Sequence, residues 1–309
     1  MRRARRALAP VACVVAGLVV LAGCSGVPAA EGPVEEPATA TSPEQAGGLD
    51  DAVSQRYVAL GDSFTSGPLV PTTDLADGCL RSDGNYPSLL ATSLDLDLTD
   101  VSCSGATTAD LARRQRTVRD ASVPPQLRAL DRRTDLVTVG IGGNDLGLFS
   151  TLVQNCLNLR RLDPGGSPCA DSAVGRQLLA STPTIGDHVE RALARVQRRA
   201  PDARVVLVGY PRIAPPDGAC PRLLPFATGD VAFGDRVLRA LDDELADAAD
   251  AAGVDYLDLY DASEGHDVCS PDPWVNGRTT EAGVALAFHP LATGMQGVAA
   301  ELEALLAEG

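Results

Sequence analysis

From residue 57 onward, short apolar runs alternate with segments of helical period, and this alternation constrains the fold more than any other feature. Residues 57–60, 98–101, 136–141, 204–208 and 254–259 read as strands. Residues 86–94, 185–199, 231–252 and 291–307 carry apolar side chains at helical spacing. Strands separated by helices pair in parallel, with helices covering both faces of the sheet. The expected class is α/β: a three-layer α/β/α sandwich around a central, mainly parallel sheet. In such sheets the chemistry gathers at the carboxyl ends of the strands. That rule points to the residues after Leu60, Val101, Ile141 and Leu259. The long stretch 149–184 could shape a pocket, and its conformation does not follow from the pattern.

The N-terminus is set apart from this domain. Arg2, Arg3, Arg5 and Arg6 precede an apolar run at 11–21. The run is too short for a membrane span of about 20 residues and has the layout of an export signal. It ends in Leu21-Ala22-Gly23-Cys24, which resembles a bacterial lipobox, and the resemblance implies cleavage before Cys24 and lipidation of its thiol. Residues 25–55 are rich in Pro, Ala, Glu, Gly, Ser and Thr without apolar periodicity, the composition of a disordered tether. The expected organisation is therefore a lipoprotein-type signal at 1–24, a tether at 25–55 and one domain at 56–309. The protein is expected to be exported, as an outward-facing membrane lipoprotein or in secreted form. It is expected to be a monomer.

Charge narrows the function classes. All 26 basic side chains are arginine, against 41 acidic ones, for a net charge of −15. Without lysine there is no Schiff-base chemistry and no P-loop lysine. The acidic balance argues against a nucleic-acid partner, and aromatics at 4% leave few stacking platforms. Outside the signal, six cysteines remain: Cys79, Cys103, Cys156, Cys169, Cys220 and Cys269. An even number in an exported chain suggests three disulfides, whose pairing spacing alone leaves open. No CxxC or histidine spacing suggests a zinc site.

The strand ends carry the candidate chemistry. Gly61-Asp62-Ser63 follows the first run, placing a serine on a tight turn at a helix start, beside free N–H groups. Asp62 or Ser63 could equally be a simple helix cap. Ser104-Gly105-Ala106-Thr107 follows the second run, and its glycine allows close approach of a backbone N–H. Gly142-Gly143-Asn144-Asp145 follows the third, where an asparagine amide can donate to a developing oxyanion. Phe288-His289-Pro290 precedes the last helix.

These four blocks, in this order, resemble the SGNH (or GDSL) hydrolases from about Tyr57 to the C-terminus. The six cysteines and Gly265-His266-Asp267-Val268-Cys269 look most like secreted actinobacterial esterases and lipases of that family. The resemblance implies a flavodoxin-like sandwich and an ester hydrolase that needs no metal or organic cofactor. It implies Ser63 as nucleophile and His289 as general base. The backbone N–H groups of Ser63 and Gly105, with the Asn144 amide, would form the oxyanion hole. It also implies sequential pairing, Cys79–Cys103, Cys156–Cys169 and Cys220–Cys269. The implied partners are an acyl ester, of lipid type, and a membrane reached through Cys24. A carbohydrate acetyl esterase of the same fold and a non-catalytic binding lipoprotein are the alternatives.

One position departs from the family. Many members carry an aspartate three residues before the histidine, and here that residue is Leu286. The expectation is a Ser–His dyad in which the main-chain carbonyl of Leu286 orients the imidazole, with Asp261 and Asp272 as rival acids. Of the other histidines, His188 is expected to be a solvated helix residue and His266 structural. Asp62 and Asp145 are read as turn-holding residues, and Trp274 as pocket wall or core. Arg113, Arg114, Arg116 and Arg119 are read as a solvated basic face.

Overall fold

The computed structural model describes residues 54–308; the signal, the lipobox and nearly all of the tether expected from the sequence lie outside them. Among the described residues there are seven strands: β1 (Arg56–Gly61), β2 (Asp97–Asp100), β3 (Gln115–Arg116), β4 (Ser122–Val123), β5 (Leu136–Gly140), β6 (Arg204–Val208) and β7 (Asp255–Leu257). β3 and β4 form a small antiparallel hairpin. The other five form one parallel sheet in the order β2-β1-β5-β6-β7. Counting only these five, the order is 2-1-3-4-5, the flavodoxin-like winding. Its switch point lies where β1 is flanked by β2 on one side and β5 on the other.

Strand alternation divides the core into two layers. Tyr57 and Ala59 of β1 and Val206 and Val208 of β6 face one cluster. They pack with α2 (Tyr86–Leu94) and α8 (Ala292–Ala307), through Leu90, Met295, Val298 and Leu302. Val58, Leu60, Val137, Val139, Val205 and Leu207 face the other cluster. There they meet α5 (Ala173–Arg199) and α6 (Thr228–Ala252), through Ile185, Val189, Leu193, Val237 and Leu241. The period-2 strands and the helical stripes thus bury matching faces, which is the physical content of the three-layer expectation.

The remaining helices are short: α1 (Ser63–Ser66), α3 (Thr108–Ala112), α4 (Leu148–Leu159) and α7 (Leu259–Ala262). The stretch the sequence left open is mostly helix, since α4 fills it and α5 begins at Ala173 rather than at Ile185. Pro183 lies inside α5. Proline lacks the N–H that would reach the carbonyl four residues back. The Leu179 carbonyl is instead taken by the Thr182 hydroxyl, at 3.1 Å, so the helix continues. The cysteines pair as Cys79–Cys103, Cys156–Cys169 and Cys220–Cys269. Among the described residues, no helix is long and apolar enough to cross a membrane.

Candidate active site

β1 ends at Gly61, and the chain turns into α1 with Asp62 as its cap. The Asp62 Oδ1 accepts the Phe64 N–H at 2.8 Å. A side chain at Gly61 would collide with Thr65 and the Gly140 carbonyl, so only glycine lets β1 and β5 close together here. The Gln126 amide bridges Gly61, accepting from its N–H and donating to its carbonyl, both at 2.8 Å. Ser63 is therefore the first helical residue, at a position whose N–H the helix leaves without a partner.

The Ser63 Oγ lies 2.9 Å from His289 Nε2. On the far side of the ring, Nδ1 donates to the Ala287 carbonyl at 2.8 Å. A carbonyl can only accept, so the proton sits on Nδ1 and Nε2 is left to accept from the serine. The orienting carbonyl is that of Ala287, not Leu286. The Leu286 carbonyl instead takes the Asn276 amide at 3.0 Å. Phe288 has a left-handed backbone, φ 57°, which bends the chain so that the ring reaches back two residues. Neither rival acid approaches: Asp261 pairs with Arg212 and the Asp272 carbonyl accepts from His266. Among the described residues, no carboxylate bonds the His289 ring. Burial disfavours the imidazolium and holds the His289 pKa below its usual value.

Two further donors lie on the neighbouring strand-end loops. Gly105 has φ +80° with open space around its α-carbon, so the glycine serves the backbone angle and not a tight contact. Its N–H has no acceptor among the described residues. The Asn144 Nδ2 donates to the Ala106 carbonyl at 3.0 Å and to Asp62 Oδ2 at 3.3 Å. That amide ties the Gly105 loop, the Asn144 loop and the Ser63 turn together.

Asp62 is buried and pushed up to about 7 by desolvation. Its Oδ2 also accepts from the Tyr210 hydroxyl at 2.6 Å, and that hydroxyl accepts from the Gly143 N–H at 2.8 Å. Tyr210 follows β6 by two residues, so it too sits at a strand end, although no motif in the sequence singles it out. Gln126 and Asn276 gave no local signal at all.

A narrow apolar hollow of about 10 Å³ lies beside Ser63, walled by Phe64, Leu148, Phe149, Leu152, Ile213 and Leu241. Phe64 stacks on the His289 ring with centroids 5.3 Å apart, and Phe149 meets the same ring edge-on at 6.0 Å. Trp274 is core: it stacks on His266 and packs on Gly294 and Gly297 of α8. His188 is not a free surface residue, because its Nδ1 donates to Asp145 Oδ2 at 2.9 Å. Asp145 holds its turn through the Thr108 N–H as well.

A buried serine bonded to a neutral, oriented imidazole, with N–H donors on adjoining loops, has the parts of an acyl-transfer centre. Comparison with known proteins gives the same class. The GDSL-like Lipase/Acylhydrolase family model matches residues 59–296. Lipase 2 of Streptomyces coelicolor is 42% identical over 221 residues, covering 69% of this chain and 72% of that protein. A lipase of Streptomyces rimosus is 33% identical, covering 77% of this chain and 81% of its own length. The crystal structure of phospholipase A1 from Streptomyces albidoflavus superposes with a TM-score of 0.68 at 28% identity. It covers 81% of this chain and 99% of that one. The chain belongs to the GDSL-like lipase/acylhydrolase family, and it is a carboxylic ester hydrolase.

Proposed function

We propose that the protein hydrolyses lipid acyl esters through a covalent acyl-enzyme on Ser63, with His289 as base and then acid. The observation that carries this reading is the 2.9 Å contact between Ser63 Oγ and a ring nitrogen that can only accept. His289 Nε2 takes the serine proton as Oγ attacks the ester carbonyl. The Ala287 carbonyl fixes the tautomer, as a triad carboxylate would, but stabilises the imidazolium less. The negative charge on the tetrahedral oxygen falls to the N–H groups of Ser63 and Gly105 and to the Asn144 amide. The longer Asn144 contact, to Asp62, is the one released as the oxyanion forms. His289 then returns the proton to the leaving alcohol and activates the water that frees the enzyme.

The apolar lining beside Ser63, formed by Phe64, Leu148, Phe149 and Leu152, is the chemistry that supports an acyl ester of lipid type. Three disulfides support export to an oxidising compartment. With the signal layout at 1–24, they support a protein held outside the cell by an acylated Cys24. The test is hydrolysis of p-nitrophenyl esters from acetate to palmitate by the wild type and by Ser63→Ala. The reading expects activity on medium or long chains that Ser63→Ala abolishes. Activity that survives Ser63→Ala contradicts the nucleophile, and activity confined to acetate contradicts the lipid substrate.

A further inference from the structure

Gln115 lies on β3 of the small hairpin, is 5% exposed, and takes no part in the contacts described so far. Its Nε2 donates to the Ser104 carbonyl at 2.9 Å. That carbonyl and the Gly105 N–H are the two ends of one peptide unit. In a planar trans peptide they point in opposite directions, so whatever holds the carbonyl also aims the N–H.

The neighbouring peptides are fixed without Gln115. The Ser104 N–H donates to the Cys79 carbonyl and the Ala106 N–H to the Cys103 carbonyl, both at 3.0 Å, and the Cys79–Cys103 disulfide closes the same segment. The Ser104–Gly105 unit between them is different. Among the described residues, the Gln115 amide is the only group bonded to either of its ends. Gly105 adds freedom of rotation: it has φ +80° with open space about its α-carbon, and glycine adopts either sign of φ. The unit can therefore turn over between two fixed neighbours. Turned over, it would withdraw the N–H and set the Ser104 carbonyl oxygen in its place, which repels a developing oxyanion.

The other end of the side chain bears on the same point. Gln115 Oε1 is buried and has no partner among the described residues. An unpaired buried acceptor destabilises a fold, and an apolar side chain of similar length would avoid it. Turning the amide over gives no relief, because Oε1 would then face the Ser104 carbonyl, acceptor against acceptor. The glutamine thus contributes one bond and leaves one acceptor unpaired, a pattern expected where that bond serves function and not stability.

We propose that Gln115 is a positioning residue of the oxyanion hole, holding the Ser104–Gly105 peptide so that the Gly105 N–H faces the reacting carbonyl. The inference rests on the ester-hydrolase reading of Ser63 and adds the device that keeps one of its donors aimed. The β3–β4 hairpin, which joins neither the main sheet nor the hollow beside Ser63, then has a defined task. It carries this amide to the loop after β2.

The test compares the full-length wild type with Gln115→Met, which keeps the length and loses the donor, and with Gln115→Glu. The kcat and KM are measured on p-nitrophenyl octanoate. The inhibition constant of an alkyl trifluoromethyl ketone is measured in parallel, since its adduct with a serine places an oxyanion in the hole. Circular dichroism and thermal melts report the fold. The inference expects Gln115→Met to lower kcat by about 10- to 100-fold with KM unchanged. That is short of the effect of a deleted donor, because the peptide still visits the working orientation. The trifluoromethyl ketone should lose affinity by the same factor. Gln115→Glu is read against pH. A carboxyl group can donate to Ser104 and a carboxylate cannot, so its kcat relative to the wild type should rise as the pH falls from about 9 to about 6. A folded Gln115→Met with wild-type kcat overturns the inference, as does a loss carried by KM alone or one that tracks unfolding. If Gln115→Met does not fold, Gln115→Glu decides, and a ratio independent of pH overturns the donor role. Failure of the Ser63 reading is separate: it would show as wild-type hydrolysis that Ser63→Ala leaves untouched.

Discussion

The two halves of the Ser63–His289 pair are held in different ways. The serine turn is braced by side chains from several elements: Asp62 caps it, Tyr210 and Asn144 bond Asp62, and Gln126 grips Gly61 from both sides. The histidine sits on a segment without long helix or strand, between α7 and α8. There the backbone positions itself, and Asn276 is the main side-chain strut. Its Nδ2 lies 2.9–3.1 Å from the carbonyls of Thr279, Ala285 and Leu286, and its N–H donates to the His289 carbonyl at 2.9 Å. The nucleophile is braced by several side chains, whereas the base segment is held chiefly by backbone hydrogen bonds with Asn276 as its main side-chain strut. A network with several members tolerates one loss better than a single strut does.

Substitutions can break or sharpen that contrast. The largest effect belongs to the base itself: His289→Ala should lower kcat by about 10,000-fold with the fold intact, read by ester hydrolysis and circular dichroism. Asn144→Ala should lower kcat by about 100- to 1000-fold with little change in KM, the signature of a donor used only in the transition state. Asn276→Ala should lower kcat by about 10-fold, because the histidine loop loses its strut while the reacting groups remain. Tyr210→Phe, on the braced side, should cost about 1–3 kcal/mol of stability in denaturant melts and less than Asn276→Ala in kcat. If Tyr210→Phe proves the more damaging to kcat, the contrast between the two sides is wrong.

The smallest effect is a pH shift. The base must be neutral to take a proton, and burial lowers its pKa below the ordinary 6.5. As pH falls, kcat/KM should therefore hold through 6.5 and decline only below it. A midpoint near 7 would assign the limb to Asp62, whose carboxyl burial raises to about 7, and not to His289.

The same contrast explains what could be read in the sequence. Ser63, Gly105 and Asn144 follow strands, and the strand ends are visible in local pattern, so the sheet delivers them. His289 was legible through its place before the last helix and through the family resemblance, not through a strand end. Its orienting carbonyl was misplaced by one residue. The choice between Leu286 and Ala287 depends on the left-handed turn at Phe288, which no side-chain pattern encodes. Gln126 acts through backbone groups 65 residues away and Asn276 through carbonyls of its own irregular loop, and neither leaves a local trace.

The central claim is that Ser63 carries the acyl group. The direct test treats the active protein with a fluorophosphonate ester, followed by intact mass and peptide mapping, with His289→Ala in parallel. The account predicts one adduct per chain, on the peptide containing Ser63, with loss of activity in step and far slower labelling of His289→Ala. Complete inactivation with the adduct on another residue, or full activity with Ser63 modified, would contradict it.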